Sequence, residues 1–195
     1  MKEELLLWVD ENDQIIGYGE KIETHIREQL HRAFSLFLFN RYDNTMLIHR
    51  RAYGKYHSGG LWTNSCCSHP RKNEVLKESV IRRMKEELGF ILPEIEISPS
   101  ENAYHTNGLY ELGAFQYYAK YSDCAEHEID HVFFLPIDQP AALLSTDSSE
   151  IAEIEWISVE ELKKRWNADP SAFTAWFPKA FDLVLQKAFN TSLHD

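Results

Sequence analysis

The sequence predicts an α+β fold, an α/β sandwich in which a mixed sheet holds one central helix and further helices close the C-terminal end. Three observations carry this. Short β-rich runs bounded by turn residues recur in both halves of the chain, a single stretch from Asn73 to Leu88 has helical periodicity, and the C-terminal region opens on a capping box. Parallel barrels and helical bundles do not produce that order of elements.

In chain order, "ELLLWVD" (4–10) forms a strand, "ENDQ" its turn and "IIGYGEK" (15–21) the return strand. "AFSLFLFN" (33–40) and "TMLIHRR" (45–51) carry the apolar residues of buried strands and are split by the turn signal "RYDN". The helix from Asn73 to Leu88 brings Leu76, Val80, Ile81, Met84 and Leu88 to one face and stops at Gly89. Strands resume with "LGAFQYYAKY" (112–121), "IDHVFFLP" (129–136) and "IAEIEWIS" (151–158). Ser158 to Glu161 then has the Ser-x-x-Glu form of a capping box, ahead of helical sequence that includes "AWFPKAFDLVLQKAF" (175–189), in which Pro178 leaves the helix start open. With no repeat and no Pro/Gly/Ser linker, residues 1–195 are expected to form a single domain with an N-terminal hairpin and a C-terminal helical extension.

Composition excludes several function classes. At 44% hydrophobic and 13% aromatic residues the chain has the material for a core, and no apolar run reaches the roughly 20 residues that cross a bilayer. A net charge of −11 repels phosphate backbones, so nucleic acid is not an expected partner and an anionic substrate needs a local basic pocket. The start lacks a signal-peptide apolar core, and three cysteines, two of them adjacent, do not make a disulfide framework. From these, a cytoplasmic location with free thiols is expected, and no membrane partner. A monomer or weak homodimer is expected.

The helix carries a carboxylate that packing does not need. Its five apolar residues span an arc of about 140°, with Glu87 inside that arc and Arg83 at its edge. An i,i+4 ion pair and a functional carboxylate are both compatible with this position. A second cluster has harder-to-explain chemistry: "NSCCSHP" (64–70) sets two thiols and an imidazole side by side, and Glu126 and Glu128 in "EHEIDH" share one face of a strand. With His25 and His31, which could equally be surface residues of a polar linker, three imidazoles and two carboxylates form a ligand set suited to Zn²⁺ or Mn²⁺.

"RRMKEELGF" (82–90) is similar to the Nudix signature R-E-U-x-E-E-x-G-U at every defined position except the second, where Arg83 replaces Glu. Glu74 stands ahead of Arg82 at the motif spacing, and Ser68 occupies the glycine position. The resemblance implies a Nudix-like mixed sheet with a central metal-binding helix. The missing glutamate removes part of the carboxylate cluster that diphosphate hydrolysis requires.

Taken with "NSCCSHP", "EHEID", "HRRAYGK" and "FTAWF", the chain from about Lys21 to Trp176 resembles the type 1 isopentenyl-diphosphate isomerases, a branch of the Nudix fold. That resemblance implies migration of a double bond by proton addition and removal on a small prenyl diphosphate. It further implies proton transfer by Cys67 and by Glu128 supported by Tyr117, with Tyr118 as the alternative tyrosine. Diphosphate contacts fall on Lys21, Arg51, Lys55, Ser68 and Arg83, and Trp176 faces the hydrocarbon. Zn²⁺ or Mn²⁺ is implied at His25, His31, His69, Glu126 and Glu128, and substrate-bound Mg²⁺ at Glu87 and the Cys67 backbone. Two other classes compete: a Nudix hydrolase dependent on Glu86 and Glu87, and a non-enzymatic zinc-stabilised module.

Overall fold

One almost wholly buried strand, His31–Asn40, organises the chain. The computed structural model describes residues 4–90, 108–138 and 145–193. Among these, nine strands form one mixed sheet: β1 (Leu5–Val9), β2 (Ile15–Glu20), β3 (His31–Asn40), β4 (Thr45–Arg51), β5 (Trp62–Thr63), β6 (Cys66–Ser68), β7 (Tyr110–Lys120), β8 (Ala125–Ile137) and β9 (Ile151–Ser158). The helices are α1 (Lys21–Ile26), α2 (Leu76–Leu88), α3 (Val159–Ala168) and α4 (Phe177–Ala188), with a 3-10 turn at Pro170–Ala172.

β3 pairs along its whole length with β8, in parallel, from His31 opposite Glu128 to Asn40 opposite Ile137. Its other neighbours are antiparallel and take turns: β1 at His31, β6 at Phe34 to Leu36, and β4 at Phe39 and Asn40. β7 continues the sheet beyond β8, and β9 lies beside β4. Because successive side chains alternate, β3 serves two cores at once. Phe34, Leu36 and Leu38 meet Val80, Met84 and Leu88 of α2, while Phe37 and Phe39 lie in the core formed with Phe177 and Phe181 of α4. The sandwich and mixed sheet expected from the sequence are both present.

Several boundaries differ from the sequence expectation for local reasons. The second strand ends at Glu20, whose carboxylate accepts from the Glu23 amide at 3.0 Å and so caps a short helix, α1, where a strand end was expected. The central helix begins at Leu76 instead of Asn73. The residues ahead of it are fixed instead by Glu74, whose two oxygens take Arg82 Nε and Nη2 at 2.6 and 2.9 Å while one also accepts the Arg71 amide. Gly89 ends α2 at φ 63°, a left-handed conformation that favours glycine. β8 starts four residues earlier than "IDHVFFLP" suggested and thereby includes "AEHE". Ser158 caps α3 as its capping box predicts, accepting from the Glu161 amide, and Pro178 sits in the first turn of α4, where it costs no helical hydrogen bond.

The N-terminal hairpin positions α1. Gly17 and Gly19 of β2 lie against the indole of Trp8, whose Nε1 donates to Thr24 Oγ1 on α1 at 2.9 Å. At the other end of the hairpin, Asp13 accepts from Arg32 Nε at 2.8 Å and lies 2.9 Å from His131 Nε2. A Cβ at Gly19 would overlap the Trp8 ring, which cannot yield without losing Thr24. Gly19→Ala is therefore expected to lower stability by about 1–3 kcal/mol, read as a fall in the urea midpoint at unchanged m-value. An unchanged midpoint would mean that the ring is not held.

Candidate active site

Five donors converge where β3 and β8 begin. His31 opens β3 and Glu128 stands directly opposite it on β8; Glu126 lies one alternation earlier on the same face, His25 comes from α1, and His69 follows β6. Their ligand atoms all lie within 4.8 Å of one another. His25 and His31 are fully buried, so neither is a surface residue of a linker. Each has its Nδ1 next to a backbone carbonyl, Lys21 O at 2.6 Å and Gln29 O at 2.7 Å, an arrangement in which Nδ1 donates and Nε2 keeps its lone pair. Both Nε2 atoms and Glu126 Oε2 are buried without a hydrogen-bond partner, while His69 brings its Nε2 to Glu128 Oε1 at 2.8 Å. Buried polar atoms are rarely left so, and three of them grouped beside the His69–Glu128 contact fit a divalent cation.

Beside this cluster a cleft opens to solvent. Lys21, Arg51, Lys55, Ser68, Arg83 and Trp176 all line it, as do Cys67, His69, Tyr117, Glu126 and Glu128. His25, His31 and Glu87 are buried and are not part of that lining. The two candidate tyrosines separate cleanly. Tyr117 stands opposite Glu128 in the β7–β8 ladder and donates from its hydroxyl to Glu128 Oε2 at 2.5 Å. Tyr118 points to solvent and donates to Glu28. Of these two, Tyr117 lines the cleft.

The electrostatics divide the cleft into two ends. Burial works against a charge on Glu128, but the neighbouring Glu126, the His31 imidazole and the Tyr117 hydroxyl hold it below the usual carboxylate range. Burial pushes the Cys67 thiol up to about 12, although the Arg51 guanidinium, 3.8 Å from its sulfur, pulls the other way. At the basic end, Arg83 pairs with Glu87 and Glu86, and Glu87 also accepts from the Cys66 thiol at 3.3 Å. Cys66 is thus a packed thiol with a partner. Trp176 is fixed by its Nε1 donating to Asn64 Oδ1 at 3.1 Å, and the Arg51 guanidinium lies 5.3 Å from its ring centroid.

Three residues of this site escaped the sequence reading. Glu150, in the turn just before β9, reaches Lys55 Nζ at 2.6 Å and Arg83 Nη2 at 3.5 Å. His57 Nε2 lies 2.6 Å from Glu126 Oε1. Asp130 is buried two residues beyond Glu128 on the same face and accepts from Ser35 Oγ at 2.8 Å. Its place two positions after Glu128 was the one available signal. Glu150 and His57 come from irregular segments without a period to assign them a face.

A model of the NUDIX domain matches residues 29–177. An isopentenyl-diphosphate delta-isomerase of Burkholderia multivorans is 42% identical over 177 residues, 90% of this chain and 89% of the relative. A second such isomerase, of Photorhabdus laumondii, is 36% identical over 91% of this chain and 90% of its own length. Among solved structures, one from Deinococcus radiodurans matches with a TM-score of 0.62 at 20% identity, covering 85% of this chain and 90% of that one. A MutT NUDIX hydrolase from Burkholderia pseudomallei matches with a TM-score of 0.57 at 15% identity over 80% of this chain and 98% of that one; at these identities the two structures attest the fold. By its fold, by the matched domain and by the extent of its likeness to these relatives, the chain belongs to the isopentenyl-diphosphate delta-isomerase family of Nudix-domain proteins.

Proposed function

We propose that the chain converts isopentenyl diphosphate to dimethylallyl diphosphate by adding a proton to the terminal carbon of the double bond and removing one from the methylene on the other side of the resulting cationic carbon. The observation that carries this reading is the conjunction, in one cleft, of Cys67, the Tyr117–Glu128 pair beside a three-imidazole cluster, and the cations Lys21, Arg51, Lys55 and Arg83. These four cations, with the Ser68 hydroxyl, would take the diphosphate; guanidinium forks suit its paired oxygens. They give an otherwise acidic protein its local anion site.

Protonating an unactivated alkene makes a tertiary carbocation, so water must be excluded and the two proton-transfer groups held in place. Cys67 and Glu128 are those groups. One gives a proton to the terminal carbon, the other takes one from the adjacent methylene, and the diphosphate stays attached throughout. Tyr117 holds the Glu128 carboxylate and can share its proton across 2.5 Å. The Trp176 ring, tethered by Asn64, offers its face to the cation, worth about 2 kcal/mol when desolvated. Bound Zn²⁺ or Mn²⁺ at His25, His31, His69, Glu126 and Glu128 would set the protonation of Glu128, and substrate-bound Mg²⁺ at Glu87 and the Cys67 backbone would offset diphosphate charge.

One observation disfavours the hydrolase alternative. Glu86 and Glu87, the carboxylates a Nudix hydrolase would use, are both engaged by Arg83, and Glu86 also by Arg82 at 3.0 Å. With Arg83 where the signature has a glutamate, the helix offers fewer free carboxylates than hydrolysis needs, and Glu87 would be left to meet only the Mg²⁺ carried by the substrate.

The deciding experiment is turnover of isopentenyl diphosphate with Mg²⁺ in deuterated water, followed by NMR. Deuterium-bearing dimethylallyl signals are expected, falling by about 10²–10⁴ in Cys67→Ala. Phosphate release without exchange would replace the isomerase reading with the hydrolase one. The thiol offers a second check. With its pKa raised from 9 to about 12, Cys67 stays protonated through neutral pH and ionises only as pH rises towards 12. At pH 8 it should carry roughly a thousandfold less thiolate than an unperturbed cysteine, and mapped alkylation at Cys67 should be correspondingly slow and climb steeply above pH 10.

A further inference from the structure

Glu126 gives only one of its two oxygens to the imidazole cluster. The other, Oε1, faces His57 Nε2 at 2.6 Å. His57 lies in the loop between β4 and β5, two residues after Lys55, and is 7% exposed. Its ring is held on three sides: stacked on Tyr121 at 4.9 Å, and edge-on to Tyr56 at 4.5 Å and to Trp176 at 6.3 Å. Nδ1 lies 3.3 Å from Ser58 Oγ. A ring so confined has one direction in which to use Nε2, and a carboxylate oxygen at that distance makes Nε2 the donor. The remaining oxygen, Glu126 Oε2, is left without a partner, 3.5 Å from His25 Nε2.

We infer that His57 is a positioning residue for Glu126: its Nε2–H, donated to Oε1, turns the carboxylate so that Oε2 is the oxygen offered to a divalent cation. The inference rests on reading the five-donor cluster as a metal site. His57 also ties that cluster to the loop bearing Lys55, so the metal end and the diphosphate end of the cleft share one loop. Outer-shell partners of this kind change metal affinity by about 10–100-fold when removed.

The test titrates the metal-stripped full-length protein with Mn²⁺, reading free ion by electron paramagnetic resonance. His57→Phe, which keeps the ring volume and lacks the donor, should weaken binding 10–100-fold. His57→Gln, whose amide N–H reaches the same oxygen, should stay within about threefold of the wild type. Equal affinity in the wild type and His57→Phe, or His57→Gln as weak as His57→Phe, overturns the inference while leaving the metal site standing. No Mn²⁺ or Zn²⁺ binding by the wild type removes the metal site itself, and the inference with it. Nitrogen-15 NMR of the wild type loaded with Zn²⁺ decides the matter should His57→Phe fail to fold. A protonated His57 Nε2 supports the positioning role, and a bare, metal-shifted Nε2 makes His57 a ligand and overturns it.

Discussion

Everything in the site depends on the parallel register between β3 and β8. Ten residues of each strand are paired, and β3 packs against α2 on one face and α4 on the other, so both faces of the pairing are specified by buried side chains. A slip of one residue would carry Phe34, Leu36 and Leu38 into the wrong core and would turn His31 or Glu128 away from its partner. The two large apolar clusters thus enforce the meeting of an imidazole and a carboxylate at the mouth of the sheet. β7 extends the same logic, since Tyr117 reaches Glu128 because the antiparallel ladder sets them opposite one another.

Two of the four cations of the cleft are paired internally. Lys55 rests on Glu150 and Arg83 on Glu87, while Lys21, half-buried, has its ammonium pKa lowered by burial. Buried Arg51 has the Cys67 sulfur and the Trp176 ring beside it and no carboxylate within ion-pair distance among the described residues, so in a chain of net charge −11 it is a cation left for an incoming anion. At Lys55 and Arg83 a diphosphate competes with carboxylates already in place. The Nudix-type helix therefore serves two ends: its Glu74–Arg82 fork secures the loop before it, and its Arg83 turns toward the cleft.

Much of this was legible in the residues themselves. Long apolar runs made β3 and β4 plain, the three- and four-residue steps of Val80, Met84 and Leu88 identified α2, and alternation placed Glu126 and Glu128 on one face. Helix α1 was not legible, because six residues give fewer than two turns and no period to detect; its cap, Glu20, looks like the end of a strand. The choice between Tyr117 and Tyr118 turned on register, which no single strand encodes by itself. His57 and Glu150 lie in irregular chain, and their partners are set by how distant loops pack against β8 and α2.

One consequence concerns the time course of folding. The five donors come from α1, β3, the segment after β6, and β8, so they assemble only when the first and second halves of the chain have docked along the β3–β8 ladder. That pairing is non-local, and its loop-closure entropy must be met before any contact across it forms. A cation held by all five donors therefore cannot template the sheet from an unfolded chain. It would bind a chain whose two halves have already paired and act as a lock on it. Where the five donors meet only after the folding transition state, its stabilisation would fall on the unfolding rate.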